Sequence, residues 1–135
     1  MIRRSYPLAV LISLLAVSAF GYERSAWPHW DMSPVKPCRS VRVEVLIRDG
    51  VPDKTDQGCR VWAGEWNDPY SGETLSLPSE IDIDHVVPLE WAARHGGEAW
   101  EPARKRAYAN DLAFIGPLAA VSAHLNRQKG SKGPA

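Results

Sequence analysis

One stretch constrains the fold more than any other. IDIDHVVPL, at Ile81–Leu89, alternates apolar and acidic residues. That period of two fits a strand with Ile81 and Ile83 toward a core and Asp82 and Asp84 on the opposite face. His85 follows directly, and Pro88 ends the run. Downstream, Phe114–Val121 is a short apolar segment expected as a second strand, bent at Gly116-Pro117. Ser122 then reads as the N-cap of a helix, Ala123–Lys129, stopped by Gly130. On that helix Asn126 and Lys129 are three residues apart and share a face, whereas His124 points away. Strand, strand and helix in this order set a strand carboxylate against a helix amide, beside a histidine able to take a proton from water. Such a set suits a hard cation on oxygen ligands.

The chain has 135 residues, 44% hydrophobic and 24% charged, with 16 Lys+Arg against 16 Asp+Glu. This allows one modest domain and excludes a disordered polyelectrolyte, a collagen-like repeat and a multi-span membrane protein. A net charge of zero also excludes a broad basic surface. Basic residues nevertheless outnumber acids from Arg94 to the end, with Arg104, Lys105, Arg106, Arg127 and Lys129 among them. That end is either a solvated helix face or the seat of a phosphate partner.

Residues 1–21 carry Arg3 and Arg4, then the apolar run Leu8–Phe20, then small residues around Ala19. This is the pattern of a cleaved secretory signal peptide, and the run is shorter than the roughly 20 apolar residues of a bilayer span. The protein is expected to be secreted, periplasmic or at the cell surface, with no stable membrane association after cleavage; an uncleaved anchor is the rival. Cys38 and Cys59 are an even count in an oxidising compartment and are expected to pair.

Residues 22–37, rich in proline and tryptophan, read as an extended lead-in, mobile or draped on the surface. Residues 38–135 form the domain. Arg39–Arg48 alternates Val41, Val43, Val45 and Ile47 with Arg42, Glu44, Leu46 and Arg48, which is strand-like. Val51–Gly58 is expected as a polar loop, and Cys59–Trp66 and Glu73–Leu77 as a hairpin around the turn at 67–72. Trp91–Arg94 and Glu101–Asn110 read as two helical pieces split at His95-Gly96-Gly97. Arg42 and Glu44 either bury an ion pair in support of the site or stay exposed. The six tryptophans are too scattered for a base-stacking stripe and read mostly as packing. The class is α+β, in a single small domain.

Three motifs carry a resemblance: Ile81–Leu89, Tyr108-Ala109-Asn110-Asp111-Leu112 and Asn126-Arg127-Gln128-Lys129-Gly130. In this order they resemble the HNH endonucleases, the ββα-metal group, and within it the secreted relatives of the GmrSD C-terminal domain. Gly58–Gly72 is similar to the leading part of those proteins, and the resemblance leaves helix open for Arg39–Arg48. It implies a ββα-metal core preceded by a hairpin region, with Asp84 a metal ligand, His85 the general base and Asn126 the second protein ligand. Lys129, with Arg127 near it, is implied as a phosphate contact. Asp82 is either a solvated strand residue or a further oxygen at the metal or behind it.

One divalent cation, Mg²⁺ or Mn²⁺, and a nucleic acid substrate, DNA ahead of RNA, follow from the same resemblance. Base specificity is expected to be low, since nothing in the chain resembles a base-reading module. Many HNH sequences hold the metal loop with an asparagine or histidine just before the second-strand leucine, where this chain has Pro117; Asn110 is expected to cover that role as structural support. The alternative is an exported nucleic-acid-binding or structural protein whose HNH core has lost turnover. Glycoside cleavage by Asp82 and Asp84 fits poorly, because two carboxylates on one strand face sit too close.

Overall fold

The computed structural model describes residues 21–114 and 116–133. The expected signal segment, apart from Gly21, lies outside them. The fold is α+β. Its elements are α1 (Val41–Asp49), β1 (Val51–Asp56), β2 (Arg60–Asn67), β3 (Thr74–Leu75), β4 (Ile81–His85), α2 (Leu89–Arg94), α3 (Pro102–Ala109), β5 (Leu118–Ser122) and α4 (Ala123–Lys129). Two antiparallel sheets result, one ordered β1-β2-β3 and one pairing β4 with β5.

The β4–β5 ladder runs from Ile81 opposite Ser122 to His85 opposite Leu118. Ile81 and Ile83 are buried with Leu118 and Ala120, against Val41, Val45, Leu46 and Trp66. The alternation of β4 is thus used as its pattern predicts. Ser122 ends β5 and caps α4, its side chain accepting from Leu125 N–H. Gly130, at φ 57°, stops the helix in a conformation that disfavours a side chain.

Arg39–Arg48 departs from the strand-like reading: residues 41–49 are helical. The Ser40 side chain accepts from Val43 N–H as the N-cap. Burial decides the case, because Val41, Val45 and Leu46 are buried, at helical spacing, while Val43 and Ile47 are only half-buried. Tertiary packing overrides the β-branched propensity of the segment. The C-terminal end of α1 clamps β5. Arg48 donates to Leu118 O at 2.5 Å, and Asp49 accepts from Ala120 N–H at 2.9 Å. Trp66 Nε1 donates to Leu46 O at 2.8 Å. Its indole lies so close to Gly50 that an added Cβ there would sit 2.2 Å from Nε1.

Residues 51–56, read as part of a polar loop, are strand β1, paired with β2 through an irregular register. Nearly all of its side chains are exposed, so it has no apolar face for the pattern to reveal. The expected β2–β3 hairpin is present. Arg42 and Glu44 do not pair: Arg42 donates to Pro78 O and Ile81 O, and Glu44 pairs with Arg39 at 3.2 Å.

The lead-in is draped on the domain but not loosely. Trp27 is fully buried, in a second cluster with Leu89, Ala92, Ala93 and Ala109. Asn110 Oδ1 accepts from Asp31 N–H and its Nδ2 donates to Pro28 O, and Asp31 pairs with Arg106 at 2.6 Å. Asn110 therefore ties the lead-in to the end of α3. Pro117, before β5, contributes only its carbonyl, which accepts from Val86 N–H.

Cys38 and Cys59 are bonded, with Cα atoms 5.3 Å apart and 21 positions apart in sequence. The bridge fastens the end of the lead-in to the start of β2. Closing a loop of that length contributes about 3 kcal/mol in the chain-entropy account. Replacing both cysteines by serine, or adding dithiothreitol, should lower the melting temperature by several degrees; unchanged melting in reductant would contradict this role.

Candidate active site

A cavity of about 380 Å³ opens where β4 ends, lined by Asp84 and His85 from β4, Asn126 and Arg127 from α4, and Tyr22 and Arg24 from the lead-in, among others. The first four are residues that the sequence reading groups into one site, and the structure brings them to one cavity. The fold achieves it because α4 leaves β5 directly and crosses beside β4.

His85 is held from two sides. Its Nε2 lies 2.9 Å from the Ala109 carbonyl oxygen. A carbonyl only accepts, so Nε2 carries the proton and Nδ1 is left as the basic nitrogen. Ala109 is the last residue of α3, whose terminal carbonyls lack helical partners and carry the negative end of the helix dipole. The imidazole also stacks on Trp30, with centroids 5.6 Å apart, and meets His29 edge-on at 6.0 Å. Burial pulls its pKa below the ordinary histidine value; the Ala109 bond and Asp84 resist, while His29 and Arg24 add to the lowering. The shift favours the neutral ring.

Asp84 is 6% exposed and shared by two donors. Tyr70 Oη donates to its Oδ2 at 2.5 Å, and Lys129 Nζ lies 3.0 Å from Oδ2 and 3.1 Å from Oδ1. Lys129 also donates to His85 O at 3.3 Å, so its ammonium binds the strand end itself. Burial and the Asp84 carboxylate push the Tyr70 phenol above its ordinary range, which keeps it a donor. Asp82 is half-buried and does not line the cavity. Its Oδ2 accepts from Asn126 Nδ2 at 3.2 Å and lies 3.4 Å from Arg127 Nε. By taking the amide nitrogen, Asp82 turns the Asn126 oxygen away from itself.

Tyr70 was missed by sequence reasoning, which saw only a Pro/Gly turn. Asp68, 1% exposed, explains its position. That carboxylate accepts from the N–H groups of Tyr70 and Ser71 and from the Ser71 hydroxyl, and it reaches Ser122 N–H at 3.0 Å. Burial alone would raise the Asp68 carboxyl, but these bonds outweigh it and hold it below the usual range. The turn at 67–72 is thereby pinned to the β5–α4 junction. The signal was present as Asp-Pro-Tyr-Ser-Gly, an Asx-turn sequence; nothing in it indicated where the tyrosine would point.

No three His, Cys, Asp or Glu side chains converge among the described residues. Among the oxygens lining the cavity, Glu90 is paired with Arg94 at 2.5 Å, whereas the Asp84 carboxylate on β4 and the Asn126 amide on α4 are hard donors of the kind that suit a cation keeping most of its waters, as Mg²⁺ does.

Asp68→Ala should cost about 1–3 kcal/mol, because it strands buried N–H donors, and should release Tyr70 from Asp84. Denaturant midpoints together with the Tyr70 hydroxyl resonance check both effects; a variant as stable as the parent would contradict the pinning.

A family model described as "GmrSD restriction endonucleases, C-terminal domain" matches residues 46–134. An "Uncharacterized secreted protein" of Arthroderma benhamiae is 39% identical over 114 residues, 84% of this chain and 54% of that protein. The chain thus spans about half the length of that relative. No solved structure matches. Among the described residues no helix is long and apolar enough to cross a membrane. The family match runs from the middle of α1 through β4, β5 and α4, and so includes Asp84, His85, Asn126 and Lys129. The chain therefore belongs to the family of GmrSD restriction endonuclease C-terminal domains.

Proposed function

We propose that the protein is an exported, metal-dependent endonuclease of HNH type that hydrolyses phosphodiester bonds, DNA ahead of RNA, with little base specificity. The observation that carries this reading is the single cavity shared by a proton-directed histidine, His85, and two hard oxygen donors on β4 and α4. Export is supported by the apolar run after Arg3 and Arg4, the disulfide and the relative named as secreted.

The residues divide the work as follows. Water at the cavity gives its proton to His85 Nδ1 as its oxygen forms the new bond to phosphorus. The bond from phosphorus to the leaving 3′ oxygen breaks, and that oxygen is protonated from solvent. The Ala109 carbonyl accepts throughout from Nε2–H and stabilises the imidazolium that forms. Asp84 and Asn126 would hold the divalent cation, which when bound neutralises the phosphate oxygens and stabilises the leaving group. Asp82 orients Asn126, and Tyr70 orients Asp84. Arg127, whose side chain is 74% exposed, meets substrate phosphate. Lys129, bound to Asp84 and to the His85 carbonyl, balances the charge of Asp84 beside the cavity.

A second reading draws on the Lys129–Asp84 pair. An ammonium on both carboxylate oxygens also suits a core that binds nucleic acid without turnover. Plasmid nicking with Mg²⁺ or with EDTA separates the two: cation-dependent cleavage is expected, and its absence from correctly folded protein would sink the enzymatic reading.

His85→Ala should lower the cleavage rate at least about 100-fold, the low end for a general base, with DNA binding retained. Equal loss of binding would mean a damaged fold instead. Asp84→Ala and Asn126→Ala should each move the Mg²⁺ titration to higher concentration, with activity partly recovered there. If neither alters the titration, the ligand assignment is wrong.

A further inference from the structure

Arg24 stands outside the span matched to the family, yet it lines the cavity with Asp84, His85 and Arg127. It begins a short 3₁₀ turn, Arg24–Ala26, on a segment that has no freedom to drift. Trp27 next to that turn is fully buried, with its ring 5.7 Å from Trp100 and 5.9 Å from Tyr108.

The guanidinium is held as well. His29 Nδ1 lies 2.9 Å from the Trp27 carbonyl oxygen, so Nδ1 carries the proton. His29 Nε2 is then an acceptor, and Arg24 Nη2 donates to it at 3.1 Å. A neutral ring thus positions a permanent cation without neutralising it. Arg127, at the same cavity, lies 3.4 Å from the Asp82 carboxylate, whereas no carboxylate pairs with Arg24 among the described residues. Glu90, also at the cavity, is taken by Arg94 at 2.5 Å. A guanidinium forks onto phosphate oxygens through parallel N–H donors, and pre-positioning reduces what it must lose on binding.

We propose that Arg24, held by His29 at the cavity, binds the substrate phosphate neighbouring the one cleaved, so that the lead-in is a wall of the nucleic-acid site. The inference rests on the nuclease reading above: a strand that presents one phosphate to His85 brings the next one to the cavity rim. Arg24 acts on binding and not on the chemical step.

The test is equilibrium binding of a fluorescein-labelled DNA oligonucleotide in EDTA, followed by anisotropy from about 50 to 200 mM salt, the range over which phosphate contacts are read. Arg24→Ala should weaken binding severalfold and make the plot of log affinity against log salt shallower by about 0.7–0.9, the signature of one lost phosphate contact. Arg24→Lys should keep the parental slope, since an ammonium also pairs with phosphate. Both variants should melt with the parent, because Arg24 is exposed. An unchanged slope in Arg24→Ala overturns the proposal, as does a loss that Arg24→Lys fails to restore. Absence of any DNA affinity in the parent protein overturns the nuclease reading and this inference with it; affinity in the parent with no effect of Arg24 overturns the inference alone.

Discussion

Five antiparallel residue pairs between β4 and β5 set where Asp84 and His85 meet α4 at the candidate site. A slip of one residue would turn Ile81 and Ile83 to the side now held by Asp82 and Asp84 and exchange the two faces of the strand. The register is held from both sides. Beneath, Val41, Val45, Leu46 and Trp66 accept the two isoleucines, and the α1 residues Arg48 and Asp49 bond the β5 backbone at Leu118 and Ala120. Above, α4 starts at Ser122 with no intervening loop, which leaves the helix one direction in which to lie.

That economy explains how much was legible. The alternation in Ile81–His85, the Ser122 cap and the Gly130 stop are local signals, and the structure uses all three. The pairing of Asp84 with the Asn126–Lys129 face follows from them, given the resemblance. What stayed hidden depends on distant contacts. The valines of α1 fit a strand template, and only the burial of Val45 and Leu46 beneath β4 and β5 makes them a helix. Strand β1 is exposed along nearly its whole length, so its ladder to β2 leaves no trace in the pattern. Trp27 and Arg24 occupy a stretch whose prolines suggest a loose tail, and their positions come from a cluster built by α2 and α3. Tyr70 reaches Asp84 because Asp68 bonds Ser122, 54 positions away.

The charges of the site are arranged around a neutral imidazole and a shared carboxylate. Asp84 would be costly to bury alone, and Lys129 and Tyr70 make its burial tolerable while holding its orientation. His85 is desolvated yet has a fixed acceptor in the Ala109 carbonyl, so the ring keeps one tautomer and one orientation. Such fixed partners are what proton transfer at a set position requires. Asn110, one residue beyond Ala109, ties the same corner to Pro28 and Asp31, which links the brace of His85 to the segment carrying Arg24.

The central claim is that the end of β4 and the inward face of α4 form one cation and phosphate site beside His85. Crystals of the protein grown with Mn²⁺ and a short DNA duplex test it most directly, through anomalous scattering at the manganese edge. The account predicts a peak bound by the Asp84 carboxylate and the Asn126 oxygen, with a DNA phosphate on it and His85 Nδ1 facing that phosphate. A peak held by other residues, or DNA seated away from His85, would contradict it.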